Sequence, residues 1–337
     1  MGTLLTVKGL SIGFRQYGVM TNVIHGIDLA IQEGERVGIV GESGSGKSLT
    51  ARSIIRLLPI GAIPTVSKLQ FKDLDLQQIP ERRMRSVRGS RIGFVAQNPF
   101  GALNPVMRVW RQFARLYASH GAAGAKAEWR QRTEEILRSV GLDEAGRVAD
   151  AYPHELSGGM AQRVVIAMAV ALEPELLVAD EPTTALDLTV QKRILAVLDR
   201  VTHTGTRSLL LVTHDLGVVT ELCERVYVMY QGRFVETGPT LSVLRHPQHP
   251  YTEMLVNSMP SRLRDIQREP GGPGTPRGAE TMSQGCGFAP RCPYAFDRCT
   301  IEVPALESRE SECLAACFHE RLPDRPVGSA MTPRPRA

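Results

Sequence analysis

The stretch Arg36-Val37-Gly38-Ile39-Val40-Gly41-Glu42-Ser43-Gly44-Ser45-Gly46-Lys47-Ser48 decides the fold of this chain. Its first five residues read as a short buried strand, and beyond Ser48 the apolar residues Ala51, Ile54, Ile55 and Leu58 recur at helical spacing. Between strand and helix, Gly41, Ser43, Gly44, Ser45 and Gly46 fall in the spacing G-x-x-x-x-G-K-S. Glycines there let backbone N–H groups turn inward, so the segment is expected to cradle a triphosphate. Lys47 is expected to reach the β- and γ-phosphates and Ser48 to offer its hydroxyl to Mg²⁺. The N-terminus of the following helix adds partial positive charge.

At 337 residues, 42% hydrophobic and 22% charged, the chain has the balance of a soluble globular protein with one large core or two domains. A net charge of +5 and a pI near 9.0 permit anionic partners, but Arg and Lys are spread rather than blocked. The aromatic and basic clusters of a nucleic-acid reader are missing, so no nucleic acid is expected. The longest unbroken apolar run, Val164 to Leu172, falls far short of the about 20 residues that span a bilayer. No basic-then-apolar leader opens the chain, and a cytoplasmic protein is expected. Met1-Gly2 with Thr6 matches the myristoylation pattern and is read as coincidence.

Before the glycine loop, residues 4 to 33 alternate apolar and polar positions around turns, which predicts a small antiparallel sheet. Phe14 or Tyr17 in it could stack on a purine. After the loop's helix, Leu69 to Arg91 is mostly polar and rich in arginine, and reads as an exposed connection. Ile92-Gly93-Phe94-Val95-Ala96 is a second strand that ends at Gln97, where a glutamine facing phosphates can ligate Mg²⁺ and position water. Residues 106 to 150 are helix formers broken by glycines and read as a helical insertion.

Leu156-Ser157-Gly158-Gly159 then opens a helix that is wholly apolar from Val164, hence buried. Ser157 and the amides after it form a second anion site, expected to serve a nucleotide held by a partner. Leu176-Leu177-Val178-Ala179 is a strand closed by Asp180 and Glu181. A carboxylate at that strand edge suits Mg²⁺, so Asp180 takes the metal and Glu181 accepts the proton of the attacking water. Ile194, Val197, Leu198 and Val201 mark one face of a helix, and the strand Ser208 to Thr213 ends on His214, expected to touch the γ-phosphate.

Taken in order, the loop 41–48, Gln97, Leu156-Ser157-Gly158-Gly159, Leu177-Val178-Ala179-Asp180-Glu181 and His214 resemble the signatures of an ATP-binding-cassette (ABC) ATPase. Gln97-Asn98-Pro99, Leu103-Asn104-Pro105, the run Ala179 to Asp187, His214 to Val219 and His249-Pro250-Tyr251-Thr252 narrow the resemblance to the ATPase subunits of oligopeptide and dipeptide permeases, a group that also handles nickel. Two departures, Ala161 for a usual Arg and Glu224 for a usual Asp, fall away from the chemistry. The resemblance implies an α/β P-loop NTPase cassette with an antiparallel β subdomain and an α-helical subdomain. It implies a nucleotide-binding domain over 1–258, helical at about 98–165, a linker over 259–284 and a cysteine-rich extension over 285–337. It further implies a head-to-tail dimer in which Ser157, Gly158 and Gly159 close over ATP on the other subunit's loop, with Asp187 between.

Two function classes compete. One is an ATPase driving uptake of peptides, or of nickel or another small solute. Its partners would be two membrane permease subunits, a second and different ABC ATPase, and an extracytoplasmic solute-binding protein, with this subunit peripheral on the cytoplasmic face of the membrane. The other is a soluble, non-transport ABC ATPase, which would carry two cassettes or a long coiled-coil insert; this chain has neither. Cys223 stands alone and reads as a buried apolar residue, whereas Cys286, Cys292, Cys299, Cys313 and Cys317 crowd the end. Four thiolates there suit Zn²⁺ or a [4Fe–4S] cluster. The permease resemblance favours the cluster on Cys286, Cys292, Cys299 and Cys317, leaving Cys313 as a spare or a substitute. Its expected role is structural, pinning the tail to the cassette or its partner.

Overall fold

Residues 2–16, 19–184, 186–203, 207–259, 284–309, 312–320 and 322 are described by a computed structural model. Tyr17, nearly all of the expected linker and the tail beyond residue 322 lie outside them. The predicted antiparallel sheet forms from β1 (Thr3–Gln16) and β2 (Val19–Gln32), paired from Thr3↔Gln32 to Gln16↔Val19. Leu5, Val7, Leu10 and Ile12 point inward and are fully covered, which fixes the register. After β3 (Arg36–Val40) and α1 (Lys47–Ile54), three more strands join β1: β4 (Ala62–Thr65) directly, and β5 (Lys68–Phe71) followed by β6 (Leu74–Asp75).

The polar stretch from Leu69 to Arg91 is therefore not a connection. It supplies β5, β6 and the helix α2 (Glu81–Ser90), and buries Leu69, Phe71, Leu74, Leu76, Met84 and Val87. Met84 and Val87, three positions apart, face inward while Arg82, Arg83 and Arg85 face solvent. So sparse an apolar stripe is hidden by its arginines when only composition is read.

A second sheet carries the chemistry. Its parallel strands lie in the order β10 (Arg225–Tyr230), β3, β9 (Ser208–Thr213), β8 (Leu176–Asp180), β7 (Ile92–Val95), and β11 (Arg233–Pro239) runs antiparallel beside β10. Every residue of β8 and β9 is buried, as strands covered on both faces require. Side chains alternate between two cores: Leu177, Ala179, Leu209 and Leu211 face the helices, while Leu176, Val178, Leu210 and Val212 face the antiparallel sheet.

The helical side comprises α3 (Pro99–Ala102), α4 (Val109–Ser119), α5 (Lys126–Ser139), α6 (Ala145–Asp150) and α7 (Gly158–Val170). Beyond them lie α8 (Leu188–His203), α9 (Leu216–Leu222), α10 (Thr240–Arg245) and α11 (Pro250–Asn257). Ile194, Val197, Leu198 and Val201 of α8 are buried on one face. The tail then folds back on the cassette. After α12 (Asp297–Ile301), the short strands β12 (Glu307–Ser308) and β13 (Leu314–Ala315) extend the parallel sheet past β11, with Glu236 opposite Ala315. Phe288 and Cys313 enter the same core as the helices. Among the described residues no helix is long and apolar enough to cross a membrane.

Candidate active site

Parallel register brings the signatures together. Val40 lies opposite Thr213, Val212 opposite Asp180 and Ala179 opposite Val95, so the residues that follow each strand emerge at one edge. Those residues are the loop from Gly41, His214, Glu181 and, one position beyond Ala96, Gln97.

Glycine is required twice in the loop. A Cβ on Gly41 would lie 2.1 Å from the Met229 carbonyl oxygen, and Gly46, at φ +103°, would put one 2.3 Å from Ile24 Cδ1. Lys47 is buried at the start of α1, and its Nζ donates to the carbonyls of Gly41 (2.8 Å) and Glu42 (2.9 Å). Burial lowers its pKa, against the opposing pull of Glu181, Asp180 and Glu42. Ser48 Oγ donates to Asp180 Oδ1 at 2.6 Å. Asp180 is fully buried, and its Oδ2 makes no hydrogen bond, only an ion pair with Arg52 at 3.4 Å. Burial raises the pKa of Asp180, partly offset by Ser48 and Arg52. A buried carboxylate beside a hydroxyl, one of its oxygens held only by a long ion pair, is the setting in which a divalent cation finds ligands.

Glu181 follows with a left-handed φ of +47°, its amide bonded to the Val212 carbonyl at 2.8 Å. Its Oε2 accepts from Gln97 Nε2 (3.0 Å) and Thr184 Oγ1 (2.8 Å) and lies 3.6 Å from His214 Nδ1. Oε1 has no partner among the described residues, which leaves it open to a water. Gln97 and His214 are exposed. Sequence reasoning missed Thr184 and Arg52, since neither is adjacent in sequence to the group it holds.

Ser157 is exposed and caps α7, accepting from the Met160 amide at 3.3 Å. Gly159 packs so closely on α8 that a Cβ would meet Val190 Cγ1 at 2.5 Å. Asp187 caps α8 through the Thr189 and Val190 amides at 3.0 and 2.9 Å. Phe14 is half-buried on β1, opposite Thr21 and Ala62.

In the tail, Cys286, Cys292, Cys299 and Cys317 line one cavity of about 20 Å³, with Phe288 and His319. Burial raises the thiols of Cys286, Cys317 and Cys292, the last to about 12, and the neighbouring cysteines add to each. Four thiols are a donor set for a thiolate-bound metal group. The cavity, however, has room for little more than one water, and among the described residues no three His, Cys, Asp or Glu side chains are grouped as a metal ion holds them. Cys313 sits apart, packed so close to β11 that a Cβ on Gly238 would lie 2.6 Å from its Sγ. Cys223 is buried, its thiol pushed to about 12.

An edge that presents a glycine loop, a buried carboxylate beside the Ser48 hydroxyl and a second carboxylate held by Gln97 and Thr184 has the parts that hydrolysis of a nucleoside triphosphate calls for. Comparison with known proteins narrows that class. Residues 24–184 match the ABC transporter family model, and residues 235–299 match the oligopeptide/dipeptide transporter C-terminal region. The chain is 45% identical over 318 residues to the probable peptide ABC transporter ATP-binding protein y4tR of Sinorhizobium fredii, covering 94% of each. It is 41% identical over 314 residues to the dipeptide transport ATP-binding protein DppD of Escherichia coli, covering 92% of this chain and 96% of that one. Among solved structures, the cassette MJ0796 in a post-hydrolysis state bound to ADP and Pi aligns with a TM-score of 0.63 at 29% identity, over 70% of this chain and 98% of that one. The chain belongs to the ABC transporter ATP-binding proteins, in their oligopeptide and dipeptide branch.

Proposed function

We propose that this chain is the ATP-hydrolysing subunit of an ABC importer that takes up peptides through a membrane permease, working at the cytoplasmic face. The likeness to peptide-transport ATP-binding proteins supports the cargo. The observation that carries the hydrolytic part is Glu181, held through one oxygen by Gln97 and Thr184 beside the phosphate loop. Its other oxygen takes the proton of a water attacking the γ-phosphorus. The bond to the β–γ bridging oxygen breaks, and ADP and phosphate leave. Lys47 leaves its two carbonyls for the phosphates, and His214 steadies the γ-phosphate from the neighbouring strand. Ser48, Gln97 and Asp180 would hold Mg²⁺, which supplies neutralising charge for the phosphate chain. Phe14 stacks on the purine.

A second cassette, of a different chain, completes the site head to tail, so that Ser157, Gly158 and Gly159 close over its nucleotide with Asp187 between. The segment from Gln97 to Asn104 meets the permease, and a solute-binding protein delivers the cargo to the assembly. In the tail, Cys286, Cys292, Cys299 and Cys317 hold a [4Fe–4S] cluster of structural role, a reading supported by four thiols on one cavity and requiring its walls to open. Anaerobically purified protein should be brown and lose its colour in Cys292→Ser; colourless protein with stoichiometric zinc would contradict the cluster.

Lys47→Ala should abolish nucleotide binding. Glu181→Gln should bind ATP while hydrolysis falls by about 10²-fold or more, the partner cassette being disabled likewise. Full turnover by Glu181→Gln in that assembly would remove its assigned role.

A further inference from the structure

The tail reaches the phosphate loop through one side chain. Arg291 ends the 3₁₀ turn Ala289–Arg291 that leads into Cys292. It places Nη2 2.8 Å from Glu42 Oε1 and Nη1 2.9 Å from Oε2. The guanidinium lies over the rings of Phe288 and Tyr230, at 5.5 and 5.8 Å from their centroids, so packing sets its direction.

Glu42 is the second residue of the phosphate loop, and every polar group it has is engaged. Its amide donates to Tyr251 Oη at 2.8 Å, its carbonyl accepts from Lys47 Nζ at 2.9 Å, and its carboxylate accepts from Arg291. Its charge acts on Lys47 together with those of Asp180 and Glu181. A third carboxylate this close, left without a cation, would oppose the arrival of a phosphate chain.

We propose that Arg291 is a positioning residue for nucleotide binding: the C-terminal extension supplies the cation that cancels Glu42 and fixes the loop, and thereby sets the affinity of the site for ATP. The inference rests on the loop being the ATP site. It is independent of what the cysteines hold. A bidentate pair restrains orientation as well as charge, so lysine replaces only part of it.

The test measures ATP affinity on the full-length chain with a fluorescent ATP analogue, and KM and kcat on the assembled transporter. Arg291→Gln should weaken binding and raise KM about tenfold, with kcat changed far less. Arg291→Lys should keep part of the affinity. Adding Glu42→Gln to Arg291→Gln should bring affinity back to within about threefold of wild type, because the opposing charge is gone, and the defect of Arg291→Gln should shrink at high salt. Lys47→Ala is measured in parallel: if it binds ATP normally, the site itself is misassigned. If Lys47→Ala loses binding while Arg291→Gln binds as tightly as wild type, the proposal is overturned. It is equally overturned if the double variant binds as weakly as Arg291→Gln, or if both are unfolded, since Arg291 would then hold structure rather than charge.

Discussion

Glu181 stands in the left-handed region without being glycine, at a strain of about 1–3 kcal/mol that the surrounding sheet must hold. The left-handed backbone redirects the chain after β8, so that Asp180 and Glu181, adjacent in sequence, reach different neighbours. Asp180 stays buried against Ser48, while Glu181 meets Gln97, Thr184 and His214. Thr184, a hydroxyl three residues after Glu181 that donates to its Oε2, orients the carboxylate. Thr184→Val should therefore lower kcat by about tenfold, the worth of one hydrogen bond to a charged group, and leave KM for ATP close to wild type. Steady-state kinetics of the assembled transporter would check it, and a rise in KM with unchanged kcat would reassign Thr184 to binding.

Among the elements, α11 joins tail and loop. Its N-cap is His249, fully buried, whose Nδ1 accepts from the Tyr251 amide at 3.0 Å and whose backbone amide donates to Glu236 at 2.9 Å. Burial lowers the His249 pKa to about 3, from 6.5, and raises that of Glu236 to about 7, from 4.5. A lowered folded pKa makes the His249 contribution complete above pH 6.5 and lost as the pH falls toward 3. Glu236 runs the other way, its contribution present below 4.5 and lost as the pH rises through about 7. The two slopes oppose between them, and His249 alone acts below 4.5. His249→Asn keeps an N-cap acceptor and removes the titration. The stability of wild type relative to this variant should thus fall as the pH is lowered below 6.5, in denaturant unfolding followed across pH; a difference that does not change with pH would contradict this. At α3, the segment after Gln97 exposes Phe100, Ala102 and, beyond the turn, Val106, while Leu103 is buried. Cysteines at Ala102 or Val106 should crosslink to a membrane subunit, and failure at both beside a working control site would place the permease contact elsewhere. Leu103 is unsuited, since its side chain is held in the helical core.

For the whole molecule, what was legible in the sequence was local. The run Leu209 to Val212 between polar ends shows a strand covered on both faces, and the glycine loop with its flanks shows strand, turn and helix within one continuous stretch. Once β3, β9, β8 and β7 are parallel neighbours, the edge where Gln97, Glu181 and His214 meet follows from where each strand ends. The rest was not legible because long-range pairing creates it. β12 and β13 are two residues each and exist because β11 offers an open edge. Tyr251 reaches the Glu42 amide across 209 positions, a separation that no motif encodes. The arginines of α2 masked its buried face, and the tail's packing on the cassette leaves no mark in the spacing of its cysteines. The molecule is thus one cassette whose sheet the tail completes, and the proposed function has it join nucleotide turnover to movement of a solute through membrane partners. Peptide uptake into proteoliposomes holding the assembled transporter and solute-binding protein tests that most directly. With Mg-ATP on the side of this subunit, peptide should cross to that side, and crossing should stop when Glu181→Gln is combined with a disabled partner cassette; crossing that continues in that assembly, or ATP hydrolysis with no peptide moved, would contradict the account.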